Sequence, residues 1–195
     1  MRSATIKRTT KETDISLTLT ILDGGRKGTF SGTSGIGFFD HMLNSFASHG
    51  GFDINLDCRG DLFVDGHHTV EDVGIVLGMA LKEAAGALRG IKRFSDILLP
   101  MDEALVMCAV DSSGRAFLHF DSNFTSPMVG DYDTQLTVEF MRALSANAGI
   151  TLHLKTLYGQ NDHHITEALY KASGKCIGDA LRVVSDEVMS TKGVL

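Results

Sequence analysis

The chain has 195 residues, 43% hydrophobic and 22% charged, an ordinary globular composition and not that of a disordered tail. A net charge of −6 argues against a nucleic-acid partner, which calls for a basic face. No apolar run reaches the roughly 18 residues of a membrane helix, no apolar stretch follows the basic N-terminus, and three scattered cysteines, Cys58, Cys108 and Cys176, form no disulfide framework or CxxC knuckle; a reduced, cytoplasmic protein away from membranes is expected.

Glycines, 21 against two prolines, punctuate the chain. Residues 15–21 alternate apolar and polar, which predicts a half-buried strand. Asp23-Gly24-Gly25 predicts a hairpin turn behind it. Phe39, Met42, Leu43 and Phe46 recur at helical spacing and predict a helix over 38–49, stopped by Gly50-Gly51. A strand over 52–64 and a long helix over 70–88 follow. Then the order returns: a strand over 104–110, a turn at 111–114, a returning strand at 116–120, a helix over 134–146, a strand over 150–158 and a long helix over 165–189.

This repetition signals a duplicated unit within one domain, with halves of about 1–92 and 93–195. A motif fixes the offset. His67-His68-Thr69-Val70-Glu71 recurs as His163-His164-Ile165-Thr166-Glu167, 96 residues on (163 − 67), each copy opening a long helix.

Imidazole and carboxylate together suit Mn, Fe, Zn or Ni. On a helix, positions i and i+4 differ by about 40° and neighbours by about 100°. His67 and Glu71 then face one ion, while His68 faces elsewhere; His163, Glu167 and His164 do the same. Each copy completes the other about a pseudo-twofold axis: His67, Glu71 and His164 on one ion, His163, Glu167 and His68 on the second. The repeat adds His41 on the first short helix and its counterpart Glu139 on the second, an offset of 98 (139 − 41). His49 is a site residue or a polar helix end ahead of Gly50. His153 belongs on a strand face, and His119 is left as structural.

With these residues on the page, the chain resembles the imidazoleglycerol-phosphate dehydratases of histidine biosynthesis. The resemblance rests on Gly35-Ile36-Gly37-Phe38-Phe39-Asp40-His41-Met42-Leu43, Ser48-His49-Gly50, Asp65-Gly66-His67-His68-Thr69-Val70-Glu71-Asp72, Asn161-Asp162-His163-His164, and the tail Ser190-Thr191-Lys192-Gly193-Val194-Leu195. It implies an α+β fold, an internally duplicated two-layer α/β sandwich of the ribosomal protein S5 domain 2-like kind, each half a four-stranded sheet backed by two helices. It also implies manganese, two ions per active site, and a homo-oligomer of 24 subunits with sites at the interfaces. The sequence departs from the pattern at Glu139, where many members have His, and at Ser45, where many have Gln.

The implied reaction dehydrates imidazole glycerol phosphate to imidazole acetol phosphate. The C2 hydrogen has no carbonyl beside it, so the resemblance implies a route through a metal-bound imidazolate: a metal held by the imidazoles and carboxylates would stabilise the deprotonated ring, which could then expel the C3 hydroxyl before a base takes that proton. The resemblance implies that Glu12 meets substrate and that Glu167 is both ligand and proton carrier. It surrounds the substrate phosphate with Arg93, Arg115, Lys171, Ser190 and Lys192, a local positive charge that an acidic protein requires. Two rivals use the same ligands differently: a binuclear metallohydrolase activates water, and a non-catalytic metal-binding protein only holds ions.

Overall fold

The computed structural model describes residues 2–192. The first half contains strands β1 (Arg2–Thr9), β2 (Thr13–Ile21), β3 (Thr29–Thr33) and β4 (Phe52–Gly60), with helices α1 (Gly37–Gly50) and α2 (His67–Ala85). The second contains β5 (Phe94–Met101), β6 (Ala104–Asp111), β7 (Phe117–Asp121), a small ribbon of β8 (Met128–Val129) and β9 (Tyr132–Asp133), helix α3 (Leu136–Ala148), β10 (Thr151–Tyr158) and α4 (Asp162–Ala180). The sheets share one topology, β1-β2-β4-β3 and β5-β6-β10-β7. In each, a hairpin pairs antiparallel with a third strand, and a parallel edge strand finishes the sheet.

Alternation builds the layers. Ile15, Leu17, Leu19 and Ile21 of β2, and Ala104, Val106, Cys108 and Val110 of β6, point inward, giving each sheet one apolar face. Helix α2 lies on β1 and β2, and α4 on β5 and β6. Helices also pair across the halves, α1 with α4 and α2 with α3, so one contiguous apolar cluster serves both. Glycine permits this approach: a Cβ at Gly78 would meet the Leu144 carbonyl oxygen at 2.7 Å, and one at Gly174 would meet the Phe46 carbonyl carbon at 2.9 Å.

Several elements differ from the sequence-based expectation. The hairpins are β1/β2 and β5/β6. Gly24 and Gly25 do turn the chain with positive φ, but β4 separates the β2 and β3 that they connect. Strand β7 likewise does not return along β6; it runs parallel beside β10. β4 stops at Gly60, and 61–64 is a turn closed by Val64 N–H on the Asp61 carbonyl, 2.8 Å. α4 ends at Ala180 and not at 189, because residues 90–93 take over its backbone: Arg93 N–H donates to Ala180 O and Lys92 N–H to Arg182 O, both 2.8 Å, while Ile91 bridges Val183. Among the described residues, no helix is long and apolar enough to cross a membrane.

Candidate active site

Both HH pairs lie in the first turn of a helix, and an Asx residue two positions earlier holds each. Asp65 Oδ1 accepts the His67 N–H at 2.7 Å; Asn161 Oδ1 accepts the His163 and His164 N–H groups at 2.9 and 3.3 Å. Asp65 and Asn161 are again 96 apart (161 − 65), so the repeat extends to what fixes the motif's main chain.

The second copy forms the tighter group. His163 Nε2 donates to Glu167 Oε2 at 3.1 Å and His41 Nε2 to the same oxygen at 3.4 Å. These three are the one group of at least three His, Cys, Asp or Glu donors within 4.8 Å of one another among the described residues. Two donors each about 2.1 Å from one ion, at tetrahedral or right angles, stand about 3.0–3.4 Å apart. The two nitrogen–oxygen spacings and the donor mix therefore suit a borderline divalent cation.

Glu167 is the buried member, its side chain 8% exposed. Its other oxygen, Oε1, takes Lys171 Nζ at 2.8 Å and the Ser45 hydroxyl at 3.3 Å. Burial pushes its pKa up, but Lys171 and the two imidazoles outweigh that and hold it below the usual glutamate value. Phe38 packs edge-on against His163, ring centroids 5.0 Å apart, and Asp131 from the other half anchors that turn by accepting the Gly37 and Phe38 N–H groups at 2.7 and 3.0 Å.

The first copy is open. His67 Nε2 is 3.8 Å from Glu71 Oε2, and the Glu71 side chain is 43% exposed. Glu139 pairs with Arg142 on its own helix and does not enter a three-donor group with His67 and Glu71.

His68 and His164 point away from their motif partners, as the helical angle requires. His68 Nδ1 donates to Asp61 Oδ2 at 3.0 Å, and His164 Nδ1 to Glu103 Oε2 at 2.7 Å. Each bond raises the histidine's pKa, and Glu103 falls to about 2, chiefly through His164 and also through the Asn161 N–H. A carboxylate on Nδ1 fixes the ring and leaves Nε2 to a metal. Glu12, exposed in the β1/β2 turn, lies 3.7 Å from His68 Nε2; Asp102, in the equivalent β5/β6 turn, lies 3.5 Å from His164 Nε2. Neither lone histidine joins the other copy's Glu within one chain.

The cationic candidates fall into two groups. Lys171 and His49 line a concavity of about 500 Å³ with Lys27, Asn44, Ser45, Ser48 and Glu167. His49 Nδ1 donates to the Ser45 carbonyl at 2.9 Å, which leaves Nε2 for a ligand. Arg93 and Arg115 instead share Asp111, at 2.8 and 3.4 Å, and Arg93 Nη1 donates to Met189 O at 2.6 Å, next to Ser190. Lys192 N–H donates to the Ser190 hydroxyl at 3.2 Å; 193–195 of the tail lie outside the described residues.

Asp61, Glu103 and Asp102 escaped the sequence reading. The turn that holds Glu12 was the one available pointer to Asp102 and Glu103; Asp61 had none. His119 and His153 lie side by side on parallel strands of the second sheet, their rings tilted by 31° with centroids 5.5 Å apart.

Comparison with known proteins points to one family. Residues 34–177 match the family model for imidazoleglycerol-phosphate dehydratase. A protein of that name from Caldicellulosiruptor saccharolyticus is 52% identical over 194 residues, covering 100% of this chain and 98% of its own. One from Thermoanaerobacter sp. is 53% identical, with full coverage of both chains. The crystal structure of the Staphylococcus aureus dehydratase superposes with a TM-score of 0.82 at 34% identity, covering 93% of this chain and 99% of that one. That from Pyrococcus furiosus gives 0.82 at 38%, covering 97% and 100%.

Proposed function

This chain belongs to the imidazoleglycerol-phosphate dehydratase family, hydro-lyases of histidine biosynthesis, and on that premise we propose a metal-dependent dehydration of imidazole glycerol phosphate carried out at centres shared between subunits. The observation that carries the metal is the convergence of His41, His163 and Glu167 within 4.8 Å. His67 and Glu71 begin the second ligand group, to which the repeat assigns Glu139 on release from Arg142, and His68 and His164 complete centres built with neighbouring chains. Manganese, two ions per active site, suits these imidazole and carboxylate donors. When bound, the ion supplies Lewis-acid stabilisation to the substrate's deprotonated imidazole.

The chain's own side chains do the rest. Glu12 is exposed beside His68 and free to carry the C2 proton. Glu167 keeps Oε2 for the ion, while Oε1 with Lys171 offers the proton a second position. His49 presents Nε2 to the substrate from the wall of the concavity. Arg93, Arg115, Lys171, Ser190 and Lys192 clamp the phosphate. The separation of Lys171 from the two arginines within one chain supports a homo-oligomer, 24 subunits in this reading, with its two halves, about 1–92 and 93–195, acting as one cytoplasmic catalytic unit.

Turnover of imidazole glycerol phosphate after manganese loading, with elemental analysis of the assembled protein, tests this. Two ions per chain are expected; His67→Ala should lose one and His163→Ala the other. A count of one or none in the fully loaded wild type overturns the two-ion reading.

The tail gives an independent test. Deleting residues 190–195 removes Ser190 and Lys192, and one lost charged contact to phosphate is worth about 1.5–3 kcal/mol. We expect kcat/KM to fall roughly tenfold to a hundredfold with metal content unchanged. Full activity would leave the phosphate to the arginines and Lys171.

A further inference from the structure

We propose that the concavity where α1 and α4 end is a second anion site, built for a phosphate dianion and distinct from the residues assigned above to the substrate phosphate. It measures about 200 Å³ and receives Arg26 and Lys27 from the loop after β2 and Lys175 from α4. All three are exposed, and none has an ion-pair partner among the described residues. The one carboxylate in the wall, Asp179, is already matched by Lys92, by Arg182 at 3.3 Å and by the Ser95 hydroxyl at 3.0 Å. In a chain of net charge −6, three uncompensated cations around one hollow make a strong local field.

Two helix C-termini meet here, and cations commonly gather at such ends. That does not account for the cluster. Each end carries about half a negative charge, so the two together offset about one of the three cations. The terminal carbonyls are also occupied: Ala47 O by the Gly51 N–H, Ser48 O by the Gly28 N–H at 3.4 Å, Ile177 O by the Leu181 N–H at 3.0 Å and Ala180 O by the Arg93 N–H at 2.8 Å. About two positive charges remain for a ligand, which matches a phosphate dianion.

None of Arg93, Arg115, Lys171 and Lys192 lines this hollow. It does share Lys27, Ser48 and His49 with the concavity holding Glu167 and Lys171. A phosphate here therefore sits beside the active site. It comes either from the tail of a phosphorylated substrate on its way in, an assignment that rests on the function proposed above, or from free inorganic phosphate.

The experiment counts inorganic phosphate bound per chain, by calorimetry on the assembled, metal-loaded protein. Wild type is compared with Arg26→Ala, Lys175→Ala and the double reversal Arg26→Glu/Lys175→Glu, with melting curves to confirm folding. Each alanine variant should weaken this phosphate roughly tenfold. The double reversal should remove one phosphate per chain, and Arg115→Ala should leave that phosphate in place. If the source is substrate, the double reversal also lowers kcat/KM at low salt, and the difference fades as salt screens it. If the source is free phosphate, kcat/KM is unchanged. An unchanged phosphate count and affinity in the double reversal overturns the site, whether or not the protein turns over imidazole glycerol phosphate.

Discussion

Glu167→Gln should lower kcat a hundredfold to ten-thousandfold, the range for losing a positioned acid–base group, and should remove one of the two ions. The substitution keeps the side chain's shape and deletes its charge. Oε2 is where His41 and His163 converge, and Oε1 is where Lys171 and Ser45 bond. An amide offers one acceptor in place of two anionic oxygens, and the half-buried Lys171 ammonium then faces a neutral partner. Each charge-assisted bond lost is worth about 1.5–3 kcal/mol. Turnover and elemental analysis on the same preparation check the result. Near-wild-type activity with a full metal complement would make Glu167 only the structural counter-ion of Lys171.

The second large effect lies away from the chemistry. Gly174→Ala should lower stability and metal affinity together. Helix propensity alone favours alanine by about 1 kcal/mol. Here the new Cβ would run into the Phe46 carbonyl, with its carbon at 2.9 Å and the Phe46 Cα at 3.0 Å. Those atoms belong to the backbone of α1 and cannot rotate aside. Overpacking costs about 1–3 kcal/mol, so the clash wins, and Tm should fall by roughly 2–4 °C per kcal/mol. Relief comes by moving α1, which carries His41, away from α4, which carries His163 and Glu167. A melting curve with a metal titration reads both effects. A variant as stable as wild type with unchanged affinity would show that the seam is softer than its geometry.

What the sequence disclosed, and what it hid, follows from the range of the interactions. The helices and central strands were legible because each buries one periodic face. The duplication was legible because HHxxE recurs at a constant offset. β1 and β5 were not: they are edge strands, only Ala4 of the first and Ser95 of the second are buried, and Pro100 breaks the pattern. The positions of β3 and β7 were hidden because parallel pairing across a helix leaves no local mark. The end of α4 was missed because its stop is a contact with residues 90–93, some 90 positions away, and not a glycine or proline. At the site, His41 was singled out through the repeat, but its 3.4 Å contact with Glu167 was not, since the helical angles had grouped Glu167 with His163 and His68. The same symmetry pointed to Glu139, which forms an ion pair with Arg142. Asp61 and Glu103 were hidden because orienting a histidine ring needs only a carboxylate in space.

The cross-pairing of helices gives the candidate centre a mechanical meaning. His41 belongs to the first half and His163 and Glu167 to the second, so the donor group spans the seam where α1 meets α4. A cation held there acts as a clip between two copies of one ancestral unit. Its binding free energy adds directly to the work of pulling the halves apart, since a ligand that needs both halves in place stabilises only the docked state. Metal scarcity would then register first as a loosening of this joint, before either sheet has lost a strand.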